Sequence, residues 1–519
     1  MNRNAYKGSI TIFLSLACIL FLALICAVTE SARVQGAKAQ SANITGMGTV
    51  SLLSEFEPKL LEKYEIFSLD GAAGGSFRIQ TVNSRFEEFI TRNTNPKRGL
   101  LMSLTFDPWC LELKSCEITD YALLTDDKGE AFYQQAVSYM KANVGVIALE
   151  ELLKLANSTD EIEEKQEAYE TSQNSNDGQM SGLEEEKQEK LEALESEAAD
   201  SGSDTSNSGS GASNSGSDAS ASDQAAGNPL TEIAKLRKKS TLEIVTWDKT
   251  LSEKSVTLNQ QPSKSNLRSG SLDLEAEHSG LVSNVLFREY LVRFFPNFVS
   301  GETGAGLDYQ LEYILGGKAT DKNNLKYVVN RLLLLREGMN YAFSVSDQTM
   351  NSQAGALATT LTGFLGIPAL TEATKHALLL AWSYGESLID VRVLLDGGKI
   401  PLAKDEDSWS LTLENLGRVT EVLQAGAEEK EDGLSYQEYI RILLNMGSLP
   451  NQKMRALDLI QTAMRAEDGM SGFQVQNCIV GVKVRATYQC GQVFWGLSAA
   501  VLGASGGNPA FTQTAGLAY

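Results

Sequence analysis

The sequence predicts an α+β, helix-dominated ectodomain behind one N-terminal transmembrane helix, with an acidic disordered insert. Three observations support this prediction: an uncharged run at the N-terminus, an acidic stretch of low complexity in the middle of the chain, and helical periodicity followed by strand-like alternation towards the C-terminus. They divide the chain into residues 1–9, 10–28, 29–156, 157–228 and 229–519.

The uncharged run from Ile10 to Val28 is long enough to cross a bilayer. Its 19 residues would form a helix of ~28 Å, close to the thickness of the hydrocarbon core. Arg3 and Lys7 precede the run, and the positive-inside bias keeps residues 1–9 in the cytoplasm. We therefore expect a single-pass membrane protein with an extracellular ectodomain.

Two alternatives compete with a retained anchor. A cleaved secretory signal would use Ala37-Lys38-Ala39, but this small-x-small site lies far behind the apolar core, after Glu30 and Arg33. A lipoprotein would use Cys18 or Cys26, and neither is approached by the usual small residues. Both alternatives are less favoured than an uncleaved span.

Helical spacing continues beyond the span. Apolar residues recur from Val34 to Phe56 and there is no Pro before Pro58, although Gly36, Gly46 and Gly48 weaken the helix. This pattern predicts one long helix that ends before Pro58. A helix kinked at the glycines is the alternative. A second amphipathic stretch follows at residues 59–67, within a first ectodomain part spanning residues 29–156.

The chain is acidic because of one segment. The net charge is −21, of which residues 157–227 contribute −15 through 18 acidic residues and three lysines, so the remainder carries only −6. The negative net charge of the whole chain argues against nucleic acid as a partner. Residues 157–228 are predicted to be a disordered acidic Ser/Gly-rich linker, within which residues 183–199 favour a transient solvated helix over a coiled coil.

Residues 229–519 are predicted to be a helix-rich second part of the ectodomain that ends in strands, and a single assembly interrupted by the linker is favoured. Leu230–Val245 suggests a helix followed by a strand, and a capping box at Ser435 and Glu438 precedes a further helix. The residues from Phe473 to Val484 and from Ala486 to Leu497 alternate like a hairpin. The other predicted helices are Leu281–Phe295, Leu307–Leu315, Asp321–Val345 and Thr374–Leu395. The last two of these are expected to form the centre of the domain.

Residues 348–371 contain no charge and could be mistaken for a second span. Their Gly, Thr, Asn and Gln content makes insertion unfavourable, so we expect a buried or loosely packed helical pair.

Four cysteines outside the span are candidates for disulfides. Their short separations favour pairing Cys110 with Cys116 and Cys478 with Cys490, which an oxidising exterior permits. Buried free thiols are the alternative.

Sequence motifs for catalysis and metal binding fail on their context. Ser505 lies in a Gly-x-Ser-x-Gly pattern, but both histidines, His278 and His376, precede it in the chain, whereas that chemistry needs a base downstream. The two histidines do not make a zinc site, and residues 428–438 place Tyr439 where a calcium loop needs Glu. No cofactor is expected.

Charged residues interrupt the most apolar helices. Glu386, Asp390 and Arg392 lie on one, while Arg331 and Arg336 lie on another and are the obvious partners for buried carboxylates. A structural ion-pair network is favoured over a catalytic carboxylate pair of the glycosidase type.

The N-terminus resembles those of Tad-type pilus minor components, which are pseudopilin-like proteins. The likeness rests on Lys7-Gly8-Ser9 at the start of the span and on Glu30 and Arg33 after it. Further phrases extend the resemblance to an uncharacterised family of clostridial single-pass envelope proteins associated with Tad-type (Flp) pilus loci; these phrases lie at residues 311–318, 329–337, 381–392 and 433–436.

The resemblance implies placement in a pilus or surface-secretion system and no activity. Cleaved prepilins usually carry Glu at the fifth residue of the mature helix, where this chain has Phe13, so an uncleaved accessory protein fits better than a major subunit. The expected partners are the lipid bilayer and Tad-like pilus or secretion proteins. The alternatives are a cell-envelope hydrolase that uses buried carboxylates such as Glu386, and a surface ligand-binding protein.

Overall fold

The computed structural model describes residues 5–72, 75–94, 109–200, 228–426, 432–493 and 507–519. They form two compact units, each assembled from separate stretches of chain. The first unit comprises Met1–Tyr139, Asn259–Ser279 and Leu457–Tyr519, and the second comprises Met140–Leu258 and Gly280–Ala456. The units therefore do not correspond to the predicted parts 29–156 and 229–519, because the C-terminal strands return to the first unit.

Helices dominate the fold, as predicted. In chain order they are α1 (Ala5–Leu53), α2 (Pro58–Tyr64), α3 (Ile79–Thr94), α4 (Asp126–Asn143), α5 (Val146–Asn157), α6 (Thr159–Gly182), α7 (Glu184–Asp200), α8 (Pro229–Arg237), α9 (Thr241–Val245), α10 (Gly280–Phe294), α11 (Gln310–Gly316), α12 (Asp321–Ser346), α13 (Gln348–Thr362), α14 (Pro368–Leu395), α15 (Val419–Ala425), α16 (Tyr436–Met446) and α17 (Leu449–Arg465). The strands are β1 (Leu69–Asp70), β2 (Leu111–Leu123), β3 (Lys399–Ile400), β4 (Leu434–Ser435), β5 (Cys478–Cys490) and β6 (Ala510–Ala518).

The first unit is built around a four-stranded antiparallel sheet. β5 pairs with β2 on one edge, and both β1 and β6 pair with β5, so these two share its other edge. The second half of α1 packs on this sheet beside α3. The core between them contains Ile44, Leu52, Phe86, Ile90, Leu123, Val482, Val484 and Tyr488.

The prediction of one long helix ending before Pro58 is confirmed. α1 is continuous through all three glycines, and two of these allow close packing. A Cβ atom at Gly36 would lie 2.1 Å from the ring of Trp109, and one at Gly48 would lie 2.6 Å from Ile90. The glycines that weaken the helix in isolation thus bring it close to its neighbours.

The predicted C-terminal hairpin is wrong. Residues 478–490 form the single unbroken strand β5, so Arg485, where a turn was expected, lies in mid-strand and donates a hydrogen bond to Glu117 at 3.1 Å. Alternation alone cannot distinguish one long strand from two, and this segment has no Gly or Pro at the expected turn. The pairing strands come from residues 111–123 and 510–518.

The second unit has α12 and α14 side by side at its centre, as the apolar pattern predicts. α6, α11 and α13 pack against α12, and the capping box of Ser435 and Glu438 begins α16 as expected. The strand predicted at the end of residues 230–245 is wrong, because residues 241–245 form the short helix α9. The uncharged residues 348–371 form α13, a 3₁₀ turn and the start of α14, consistent with the predicted helical pair.

The linker predicted from residue 157 was placed too early. α6 buries Ile162, Gln166, Tyr169 and Asn176, which recur at helical spacing and form one face of the helix. The many acidic residues of this segment make that face hard to recognise in the sequence. α7 is largely exposed. Its residue Leu191, and Leu183 just before the helix, pack against the buried side chains of Leu365, Ile367 and Leu370. The Ser/Gly-rich residues 201–227 lie outside the described residues.

Candidate functional site

The N-terminal half of α1 is uncovered by the rest of the described protein. Large apolar side chains remain exposed along it, among them Ile10 (66 %), Phe13 (74 %) and Leu22 (59 %). Among the described residues, this is the one helix long and apolar enough to span a membrane. The predicted anchor from Ile10 to Val28 therefore has the length and surface that a bilayer requires.

Glu30 and Arg33 mark the point at which α1 becomes buried. Both were predicted to flank the membrane, and both are almost completely buried in the first unit. The Arg33 Nε atom donates to Glu30 at 3.1 Å, and its terminal nitrogens donate to the backbone carbonyls of Trp109, at 3.0 Å, and Gly491. We call this arrangement of Glu30, Arg33, Trp109 and Gly491 the junction clamp.

The junction clamp joins α1 to the adjoining ends of two strands. Trp109 comes just before β2 and Gly491 directly follows β5, so one guanidinium ties the helix to both. Hydrogen bonding to Glu30 raises the pKa of Arg33 above its usual value. The two other predicted motif residues, Lys7 and Gly8, lie within α1. The clamp fixes the direction in which the anchor leaves the first unit.

A buried charge network lies at the centre of the second unit, as predicted. Arg336 on α12 donates to Asp390 on α14 at 2.9 Å, and both side chains are fully buried. Arg336 also donates to the carbonyls of Pro401 and Leu402, at 3.0 and 2.9 Å, and to the hydroxyl of Tyr439. The guanidinium therefore bridges two helices and a loop, which makes its role structural.

Lys404 is the member of this network that sequence reasoning missed. Its ammonium lies 2.6 Å from Asp390 Oδ1 and also contacts Glu386, and its side chain is 1 % exposed. In the sequence it precedes Asp405, Glu406 and Asp407, a charged loop that indicates a surface position. No local pattern distinguishes a lysine that turns inward from one that faces solvent.

Glu386 has no free acceptor facing solvent. Its oxygens accept from the backbone N–H groups of Ser410, at 2.9 Å, and Leu411, at 2.7 Å, in addition to Lys404. Burial raises the pKa of Glu386 against the opposing pull of Lys404. Burial also acts to raise the pKa of Asp390, but Lys404 and Arg336 together hold it below its ordinary value. Because Glu386 is fully buried, it cannot contact a glycan in this conformation.

Two predicted members lie outside the network. Arg392 pairs with Asp248 and with Asp396, at 2.7 Å from the latter, near the surface of the second unit. Arg331 is only partly buried and lines a separate pocket with Tyr327 and Met446. Both face away because α14 and α12 each place only one stripe of side chains against the other.

Several other buried carboxylates were not predicted from the sequence, and two of them, Glu312 and Glu337, have strongly raised pKa values. Glu312 accepts from the hydroxyl of Tyr436 at 2.6 Å, and Glu337 accepts from that of Tyr169 at 2.8 Å. Burial raises the pKa of each carboxyl to about 7. Their signal in the sequence is a single acid within an apolar helical stretch, the same pattern that pointed to Glu386.

A cavity of about 1020 Å³ lies in the second unit. Its lining includes the apolar side chains of Trp382, Trp409 and Met350 and the carboxylates of Glu232 and Glu414. Trp382 and Trp409 are fixed because both indole N–H groups donate to the carbonyl of Leu411. The cavity is therefore preformed.

The favoured disulfide pairings are wrong, because all six cysteines are free. Cys478 and Cys490 are the two ends of β5, which places them ~40 Å apart at the rise of an extended strand. Cys116 lies within β2, ~16 Å along the strand from Leu111, the residue that follows Cys110, so this pair is also beyond the reach of a disulfide. The alternative of buried thiols holds for Cys478 and Cys490, and burial raises the pKa of Cys478 to about 12.

The remaining motif residues do not form a site in the described chain. Ser505 lies outside the described residues, as does part of the calcium-like stretch 428–438. His278 bonds to Ser138 at 2.8 Å, and His376 lies 3.4 Å from Glu372 on its own helix. Each histidine thus has a local partner.

Comparison with known proteins identifies one family. Residues 219–490, just over half of the chain, match the model of a family described as a family of unknown function (DUF5702). The chain belongs to this family. The DUF5702 match covers α8 to α17 and β5, and therefore includes the whole charge network, whereas α1 and β6 lie outside it. No curated protein and no solved structure matches the chain.

Proposed function

We propose that this protein is a membrane-anchored extracytoplasmic component of a Tad-like pilus or surface-secretion assembly, and that it acts by binding partners rather than by catalysis. The observation that carries the proposal is the division of α1. One continuous helix offers an uncovered apolar half for the bilayer and a second half that forms part of the core of an ectodomain unit.

The division of α1 distinguishes it from a simple tether. A tether needs only an apolar span followed by a flexible connection, whereas here the junction clamp and the sheet hold the helix rigidly from Glu30 onwards. A rigid connection transmits the position of the span to the ectodomain. Such a connection suits a protein that must be oriented within an assembly at the membrane.

The N-terminal resemblance adds the class of assembly. Lys7-Gly8-Ser9 and the Glu30 to Arg33 segment are similar to pseudopilin-like proteins, and Phe13 replaces the acidic residue of polymerising prepilins. The protein is therefore an accessory component that stays uncleaved in the membrane. Its orientation follows the positive-inside bias, with the ectodomain outside.

Affinity purification from detergent-solubilised membranes of the native host tests the proposal. Wild-type protein is expected in the membrane fraction, together with Tad-like pilus or secretion proteins identified by mass spectrometry. The variant Leu20→Arg/Leu24→Arg places two charges in the span and is expected to lose both membrane retention and these partners.

The matched control is Ala39→Arg/Asn43→Arg, which has the same spacing on exposed positions of α1 beyond the clamp. It should remain in the membrane and keep its partners. If wild-type protein brought down no Tad-like protein, and the purified chain cleaved cell-wall glycans, the proposal would be wrong and an envelope hydrolase would replace it.

A further inference from the structure

β6 is an edge strand with an open side. Its nine residues pair with β5 in an unbroken register from Gly481 opposite Ala518 to Gln489 opposite Ala510. In the part of the chain that the structure describes, no strand pairs with its other side. The backbone N–H and C=O groups on that side therefore form a template for another strand.

The opposite edge of the same sheet is protected. β2 has three irregularities in its register with β5 and carries charged residues at Glu112, Lys114, Glu117 and Asp120. Both features are common devices against unwanted strand pairing.

Side chains and loop backbone also cap β2. The Asn83 side chain donates to the carbonyl of Cys116 at 3.3 Å and accepts from the N–H of Ile118 at 2.9 Å. The N–H groups of Ser271 and Leu272 donate to the carbonyl of Tyr121, at 2.8 and 3.0 Å. Among the residues that the structure describes, one edge of the sheet is thus occupied and the other is free.

β6 has none of these protective features. Its sequence, AFTQTAGLA, contains no charge and no Pro, and its register has no bulge. Phe511 and Ala515 pack against the core, while Gln513 donates to the carbonyl of Lys38 and to Ser41 on α1. One face of the strand is therefore fixed, so the open edge is rigid and ready to pair.

The direction of β6 argues against pairing with a second copy. Gln513 lies at Lys38 and Ser41, and the hydroxyl of Tyr519 bonds to the carbonyl of Leu53, so β6 and α1 run in the same direction. Both cover a similar distance, ~22 Å of helix and ~20 Å of strand. Antiparallel pairing of two β6 edges would reverse one α1, and the two anchors would leave in opposite directions.

We propose that the open edge of β6 binds an extended, uncharged segment of a different extracytoplasmic protein as an added antiparallel strand. The unpaired backbone N–H and C=O groups of β6 can form hydrogen bonds with another strand. Because β6 is uncharged and has Thr and Ala on its outer face, a partner strand needs no complementary charge. The exclusion of antiparallel pairing with a second copy rests on the proposed insertion of α1 in a membrane. The open edge itself does not depend on that proposal.

The test uses full-length protein in detergent and a synthetic probe, a capped peptide of alternating valine and threonine with one lysine at each end. Hydrogen–deuterium exchange is followed at residues 510–518 with and without the peptide. Binding is expected to slow exchange at about every second amide of β6 by at least tenfold, because successive N–H groups of an edge strand alternate between the paired and the open side.

Two adjacent variants, Thr514→Pro and Ala515→Pro, supply an internal control. One removes an N–H that points to β5 and should lower the melting temperature; the other removes an N–H on the open side and should leave the melting temperature unchanged while abolishing peptide binding. The proposal is overturned if the peptide does not slow exchange at β6 of the wild-type protein, or if it protects both variants equally. It is also overturned if the amides on the open side of β6 already exchange slowly in the free protein. Such protection would come from residues 494–506 or, where it depends on protein concentration, from a dimer.

Discussion

Arg33 donates a hydrogen bond to the carbonyl of Gly491, a residue 458 positions away along the chain. The same guanidinium holds Trp109, 76 positions away, and Glu30, one turn earlier on the same helix. A single side chain therefore ties α1 to the ends of two strands of the first unit. Its removal should be felt by the whole unit.

Arg33→Met should lower the free energy of unfolding by about 3 kcal/mol, because it removes the cation that pairs with the buried Glu30 carboxylate and the guanidinium donors to the carbonyls of Trp109 and Gly491. Chemical denaturation of the full-length protein in detergent measures this. Arg92→Met is the control, since Arg92 pairs with Glu88 on the surface and should change stability by less than about 0.5 kcal/mol. Adding Glu30→Gln to Arg33→Met should recover part of the loss, and no recovery would contradict the clamp.

Glu386→Gln should destabilise the second unit by about 2 kcal/mol. The amide NH₂ group that replaces one oxygen must face either Lys404 or a backbone N–H, because Ser410, Leu411 and Lys404 all donate to the present carboxylate. Thermal and denaturant unfolding measure the change. Glu421→Gln, at an exposed position, should have no effect. Unaltered stability together with a lost glycan-cleaving activity would show that Glu386 is catalytic instead.

The buried carboxyl of Glu337 should make stability depend on pH. Burial raises its pKa from 4.5 to about 7 in the folded state, so between these values the folded protein binds more protons than the unfolded chain. Its contribution to the free energy of unfolding is then greatest at low pH and falls as the pH rises through 7, by roughly 3 kcal/mol.

Glu337→Gln should remove this contribution, because the amide can still accept from Tyr169 and does not titrate. Denaturation at pH 5 and pH 8 should show a smaller fall in the variant than in wild type. Glu164→Gln, on an exposed position of α6, should retain the wild-type difference. Equal slopes for both variants would mean that Glu337 titrates normally.

All six cysteines should react as free thiols once the protein is unfolded. Intact mass after alkylation in guanidinium, without reductant, is expected to show six additions and the same mass with reductant. In the folded protein the reaction should be slow at Cys116 and Cys478, because burial raises their pKa values to about 11 and about 12. A mass lower by two additions would reveal a disulfide.

Local patterns were sufficient for several elements. The span from Ile10 to Val28, the continuation of α1 to the residues before Pro58, the two central helices and the capping box at Ser435 all follow from spacing within one or two helical turns. The charge network was predicted in outline, because buried Asp390 needs a cation and Arg336 lies on the neighbouring apolar helix. The remaining member of the network, Lys404, comes from a loop that has no periodic pattern.

The sequence by itself determined which segment is apolar and long enough to span a membrane, that the fold is dominated by helices, and that charged groups are buried within it. Tertiary structure alone decided that Glu30 and Arg33 are buried in the first unit, that β5 is one strand, and that α6 is a packed helix within an acidic stretch. The physical reason is the range of the interactions. Propensity and periodicity report neighbours within about four residues, whereas the partners of Arg33, Tyr169 and Lys404 come from distant segments that only the folded chain brings together.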